Sequence, residues 1–401
     1  MYVIRFLLLV IVLVAHPHQA SALDKIVIAA DGGGGKDLIE NSLEAATLAA
    51  ALGVEYLQLP VVMTADDQLL VFRDLTLDRL TDVGQVFPER QRSDGSYYVI
   101  DFTLNELRQL RLLGPADGAG REFPLALPIP TLAEELRLLR RLETTLNRQL
   151  GIVVEIRQPW FHRQADKDIS SAILDTLARF RYTSGESKAY LQCFDPDELQ
   201  KIHDVLMVER QMRLPLIQLI GANDGIETRH GGGGNLTPYN YDWIFTNTGL
   251  RMVASYAVAI SLPLAAIVGE EGKLPLAGYI AEAHRHGLMV LGISLDAPLA
   301  SSFAAKDQSQ LLQFLFSQAG LDGISTNRFQ DVQRALRQKE EEAASQETRA
   351  QETTTSATEE TEGKEEAPPA ENDLPPFFKN LNLSRPVPVN GAPLEEDPKK
   401  P

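Results

Sequence analysis

The sequence predicts an α/β protein built as a single (β/α)8 TIM barrel, with an insertion over one rim and a disordered C-terminal tail. Two observations carry this reading. Short β-branched or apolar runs alternate with longer helical patterns, the signature of a parallel sheet assembled from βα units. There are eight such runs, the number that a closed barrel needs. The length agrees, because a barrel of about 300 residues fits within 401 and leaves room for segments at both ends.

The first residues, MYVIRFLLLVIVLVAHPHQASA, place Arg5 before an apolar run from Phe6 to Ala15 and a small-residue site at Ala20-Ser21-Ala22. That order predicts a secretory signal over residues 1–22. The apolar run is too short for a bilayer, which takes about 20 residues. The mature chain is therefore expected to be periplasmic or secreted, with no membrane span once the signal is cleaved.

The barrel is expected over residues 23–337. Its strands are predicted at Lys25–Ala29, Tyr56–Val62, Ile152–Ile156, Tyr190–Phe194, Leu216–Ile220, Ala257–Ser261, Met289–Ile293 and Gly323–Ser325. Helices are predicted at Ser42–Leu52, Thr131–Gln149, Asp168–Phe180, Pro196–Glu209, Leu274–His286 and Gln308–Gln318, with Ser42 suited to cap the first. The interval from Thr81 to Leu127 is long for a βα connection and reads as the rim insertion. From Gln338 to Pro401 the composition turns to Glu, Thr, Ala, Pro and Lys, which predicts an acidic disordered tail. Within it, LPPFFKNLNL at Leu374–Leu383 is an apolar island and a candidate motif for a protein partner.

The formal charge is −17, and the tail contributes 15 acidic against 7 basic residues. That balance opposes nucleic acid as a partner. Cys193 is the only cysteine, so no intramolecular disulfide forms, and its apolar strand predicts a small buried hydrophobe. The run Gly32-Gly33-Gly34-Gly35-Lys36 lacks the spaced leading glycine of a nucleotide loop, and Asp37 stands where Ser or Thr is required. No serine nucleophile elbow and no zinc-spaced Cys/His cluster occur.

Several long segments occur in order: KIVIAADGGGG from Lys25, IENS at Ile39–Ser42, EYLQLPVVMTADDQLLVFRD at Glu55–Asp74 and LDRLTDV at Leu77–Val83. They are followed by EIRQPWFH from Glu155, AYLQCFDPDEL from Ala189, YNYDW from Tyr239 and LDGISTN from Leu321. Together these resemble the glycerophosphodiester phosphodiesterase family, especially its periplasmic bacterial branch, over about Lys25 to Leu336. The resemblance implies a TIM barrel that hydrolyses glycerophosphodiesters to glycerol 3-phosphate and an alcohol. It also implies a divalent cation such as Ca or Mg and two histidines that share the proton transfers.

The family pattern has His-Arg-Gly after the first strand, Glu-x-Asp after the second and His-Asp a dozen residues on. This chain has Ala30-Asp31-Gly32, Gln58-Leu59-Pro60 and Arg73-Asp74. Alanine cannot move a proton, and an arginine does not act as a base near neutral pH. Of the metal positions, Glu155 alone keeps a carboxylate, because Gln58 offers a neutral oxygen and Pro60 none. No intact catalytic residue and no cofactor are therefore expected.

Asp31, Arg73, Arg157, Trp160 and Gln192 are the candidate pocket residues, for a glycerophosphodiester-like or other anionic small molecule. His162 is expected to pack rather than react. Two readings follow: a non-catalytic exported binding or interaction protein, or an active or rewired phosphodiesterase releasing glycerol 3-phosphate and an alcohol, with Ca or Mg as its cofactor or, in a rewired site, with Asp31 supplying the proton transfer and Arg73 binding the phosphate without metal.

Overall fold

A computed structural model describes residues 25–33, 38–113, 127–231, 236–268, 273–293 and 308–338. The expected signal, the remainder of the first glycine run with Lys36 and Asp37, and the tail beyond 338 with its apolar island lie outside these residues. Eight parallel strands close on themselves: β1 (Ile26–Ala29), β2 (Tyr56–Met63), β3 (Gly151–Ile156), β4 (Ala189–Cys193), β5 (Leu216–Leu219), β6 (Ala259–Pro263), β7 (Met289–Ile293) and β8 (Gly323–Thr326). Each pairs with the next, and β1 pairs with both β8 and β2, which closes the barrel.

Alternation along the strands separates two cores. Leu57 and Leu59 of β2, Ile152, Val154 and Ile156 of β3, and Leu191 and Cys193 of β4 point outward into the large cluster shared with the helices. The intervening residues face the barrel interior, where Ile28, Val153, Ile217, Ala259 and Leu291 form an apolar plug. Tyr56 and Tyr190 meet edge-on beside it with ring centroids 5.6 Å apart. The next inward positions along β2, β3 and β4 are Gln58, Glu155 and Gln192, so a polar layer sits above the plug at the carboxyl ends of the strands.

Helix α1 (Leu43–Ala51) begins where Ser42 accepts a hydrogen bond from the Ala45 amide at 3.2 Å. Helix α2 (Leu132–Leu146) begins in a capping box formed by Thr131 and Glu134. The helix predicted as Pro196–Glu209 contains one wider, π-type turn at Ile202–Leu206. Among the elements that escaped the sequence reading are the antiparallel strand Leu69–Val71 against β2, the short helix Pro159–Gln164, and the helix Asn247–Ala254 after β5. The strand expected at Ala257–Ser261 starts two residues later, at Ala259.

The insertion shares a second core with the chain just before it, in which Phe72, Leu77, Val99, Phe102 and Leu107 are buried. It is pinned to the barrel where Tyr98 stacks on Phe161 at 5.4 Å and the Arg92 guanidinium lies beside both rings, 4.2 Å from that of Tyr98 and 5.9 Å from that of Phe161. After β1 the chain turns sharply through Asp31–Gly33, with Gly32 at φ 64° and Gly33 at φ 81°. A Cβ on Gly33 would stand 2.3 Å from that of Ala49 on α1. Gly33→Ala therefore combines left-handed strain with a clash, and is expected to cost about 2 kcal/mol or more in denaturant unfolding.

Candidate functional site

The mouth of the barrel holds a cavity of about 380 Å³, lined in part by Ala30, Gln58, Arg73, Glu155, Arg157 and Gln192. Strand register brings these together: Glu155 on β3 lies opposite Gln192 on β4 and Pro60 on β2. Gln192 Nε2 donates to Glu155 Oε2 at 3.1 Å, and the Gln58 amide donates to the same oxygen. Gln58 is itself held through Oε1, which accepts from Ser325 Oγ at 3.0 Å. The Arg157 guanidinium takes the other Glu155 oxygen, donates to the Arg73 carbonyl at 2.9 Å, and lies 3.1 Å from a Glu227 oxygen.

Glu155 is 4% exposed, and burial alone would push its carboxyl up. The positive charges of Arg157 and Arg73, with hydrogen bonds from Arg157 and Gln58, outweigh burial and hold it below the ordinary carboxylate value. Burial pulls the Arg157 guanidinium down, but Glu155 and Glu227 reverse the sign and hold it up. Both shifts favour the ionised forms, and the pair acts as a cross-brace between neighbouring strands and the loop after β5.

The predicted site residues separate in space. Ala30, Gln58, Arg73, Glu155, Arg157 and Gln192 converge on the mouth. Pro60 is buried within β2, is not among the cavity lining, and accepts at its carbonyl from the Phe72 amide at 2.8 Å. Trp160 stands behind the lining, with its indole N–H donating to the Glu227 carbonyl at 3.2 Å and the Arg229 guanidinium 5.5 Å from its ring. Asp31 contributes backbone to the turn after β1, and its side chain lies outside the described residues.

Glu227, Ser325 and Ile226 were missed by the sequence reading. The signal for Glu227 and Ile226 was the long interval between β5 and the next strand, since a connection of that length at a barrel mouth commonly carries site residues. His162 is 1% exposed and neither ring nitrogen has a partner among the described residues. Burial, with Lys167 nearby, pushes its imidazole down to about 4, so the ring is a neutral packing element. Cys193 is fully buried, and burial together with Asp195 pushes its thiol well up.

The donor set does not fit a divalent cation. Gln58 spends its amide on Glu155 and its oxygen on Ser325, Pro60 supplies nothing, and both Glu155 oxygens are occupied, one by a guanidinium. Among the described residues no three His, Cys, Asp or Glu side chains are grouped to hold a metal. The lining carries Arg73 and Arg157 against Asp74, Glu155 and Glu227, so it has no positive surplus. Asp74 is drawn away to Arg79 at 2.7 Å. No described helix is long and apolar enough to cross a membrane.

Residues 32–330 match the model of the Glycerophosphoryl diester phosphodiesterase family. A glycerophosphodiester phosphodiesterase of Haemophilus influenzae is 35% identical over 327 residues, covering 76% of this chain and 87% of its own. Its counterpart in Treponema pallidum is 32% identical over 322 residues, covering 76% and 90%. A solved structure from Silicibacter pomeroyi, described as a glycerophosphoryl diester phosphodiesterase, matches at a TM-score of 0.55 and 23% identity over 77% of this chain and 92% of that one. An Oleispira antarctica phosphodiesterase solved with the product sn-glycerol-3-phosphate matches at 0.50 and 16% identity, over 79% and 99%.

Proposed function

We propose that this chain, which belongs to the Glycerophosphoryl diester phosphodiesterase family, is a non-catalytic member that acts outside the cytoplasm as a binding or interaction protein. The observation that carries the proposal is the state of Glu155. The one carboxylate left from the family's metal set is enclosed by two amides and a guanidinium that supplies the counter-charge from within the chain. Ala30 and Arg73 stand at the two proton-transfer positions, on the same cavity. Export rests on the leader pattern of residues 1–22.

A glycerophosphodiester-like or other anionic ligand would meet the guanidinium groups of Arg73 and Arg157, which both line the cavity. The C-terminal apolar island is the candidate contact for a protein partner. The second reading, a rewired or active hydrolase, is favoured by the relatives at 32% and 35% identity, both named as glycerophosphodiester phosphodiesterases.

Metal linkage is the first test. A ligand that binds only the folded state raises stability by RT ln(1 + [L]/Kd), about 2.7 kcal/mol at one hundred times Kd. Millimolar calcium or magnesium is expected to give no saturable rise in the melting temperature of this chain. A saturable rise that disappears in Glu155→Ala would sink the metal-free reading.

A further inference from the structure

We infer that Glu135 turns the seam between α1 and α2 into a pH-sensitive latch behind the barrel mouth, independently of whether that mouth is catalytic. Helix α2 buries Leu132, Glu135, Leu136 and Leu139, and α1 buries Ala45, Ala46, Ala49 and Ala50. The two helices pack together. Glu135 is 1% exposed, and neither carboxylate oxygen has a hydrogen-bond partner among the described residues.

Its surroundings supply no counter-charge among the described residues. Across the seam, the ionisable group that acts on it is another acid, Glu44 of α1. The strand Leu69–Val71, also packed on α2, presents only apolar side chains. On its own helix, Glu134 is occupied by Arg108 at 2.7 Å and by the Thr131 cap. A buried carboxyl without donors or cations stays closed only when neutral, since charging it there is far costlier than in water.

Burial, and then Glu44, push its carboxyl up to about 8 from an ordinary 4.5. The sign follows by linkage. The closed form holds the proton more tightly than the opened one, so its stability is fully present below about 4.5 and is lost progressively until pH passes about 8.

The consequence reaches the mouth through the entry of α1. Asn41 there is 2% exposed with both amide atoms unpartnered among the described residues, and it is held at φ 57°. Its backbone packs so closely on Gly32 that a Cβ on that glycine would lie 2.9 Å from the Asn41 Cα. Gly32 belongs to the turn that follows Ala30, and Ala30 lines the cavity. A seam that opens at α1 therefore loosens one wall of the mouth.

Hydrogen exchange of the full-length chain from pH 5 to 9, compared with Glu135→Gln, tests this, because intrinsic exchange cancels in the ratio. The ratio of native to variant opening in residues 43–51 and 132–139 is expected to rise by up to about tenfold per pH unit and level off near pH 8. Parallel profiles at every pH overturn the latch, and so does a rise shared equally by the barrel strands. Should Glu135→Gln fail to fold, Glu44→Gln reads the same device. Removing the facing charge moves the levelling point to lower pH if the latch exists, and an unmoved profile counts against it.

Discussion

Arg157→Met is expected to lower stability by about 3–5 kcal/mol, the usual result of removing one partner from a buried ion pair, which in a domain of this size is roughly 10 °C in Tm. The side chains of Arg157 and Glu155 are only 12% and 5% exposed, so solvent screens the pair little. Methionine fills much of the stem volume, and the loss is therefore mainly electrostatic: Glu155 keeps its two amide donors but loses its nearest positive charge. The double change Glu155→Gln with Arg157→Met removes both charges and is expected to regain most of the loss.

The pH dependence separates this account from a packing defect. In the native chain Glu155 is held below 4.5, so the stability it contributes is present above that value and is lost only as pH falls through the lower folded value. In Arg157→Met burial is opposed only by Arg73 and the amide donors, and the carboxyl is expected to move up. The stability gap between the two proteins should then narrow as pH falls from 8 towards 5. A gap that stays constant over that range would assign the loss to packing and remove the cross-brace from the argument.

How much of this was legible in the sequence depends on which force set each feature. The barrel strands were legible because apolar runs and barrel strands are the same physical requirement, two covered faces on a parallel sheet. Where an apolar run outlasts the paired segment, the boundary is lost, and the strand at Ala259–Pro263 was placed two residues early for that reason. The helix Asn247–Ala254 was missed because Gly249 lowers its propensity, and only the fold shows why the glycine is there: a Cβ would lie 1.9 Å from the Trp243 carbonyl oxygen. At the site, the replaced positions could be read one by one. Their mutual bonding could not, since Gln58 and Glu155 are 97 residues apart and Ser325 and Gln58 are 267 apart. Glu227 carries no motif, and only its distance from Arg157 gives it a role.

Turnover of glycerophosphocholine or glycerophosphoethanolamine by the native chain is expected to stay at the uncatalysed background, with or without added metal. One positioned acid–base group is commonly worth about 10² to 10⁴ in rate, and groups acting as a unit do not combine by simple multiplication. On the proposed reading, alanine at 30 and arginine at 73 would remove both, and the occupied Glu155 would leave the charge of a phosphodiester transition state without a metal to face.

Restoration should proceed in two readable steps. Gln58→Glu with Pro60→Asp sets a carboxylate against Glu155 where an amide now donates, and the repulsion can be relieved by a bound cation or by proton uptake. That pair of changes is expected to make Tm rise with millimolar calcium or magnesium, a readout independent of catalysis. Adding Ala30→His and Arg73→His then gives the scaffold its proton-transfer groups, whereas either histidine alone leaves the transition state unneutralised and is expected to add little. If the native chain instead turns over a glycerophosphodiester at an enzymatic rate, and Glu155→Ala or Asp31→Ala abolishes it, then the site is rewired and the guanidinium at Glu155 is part of its machinery.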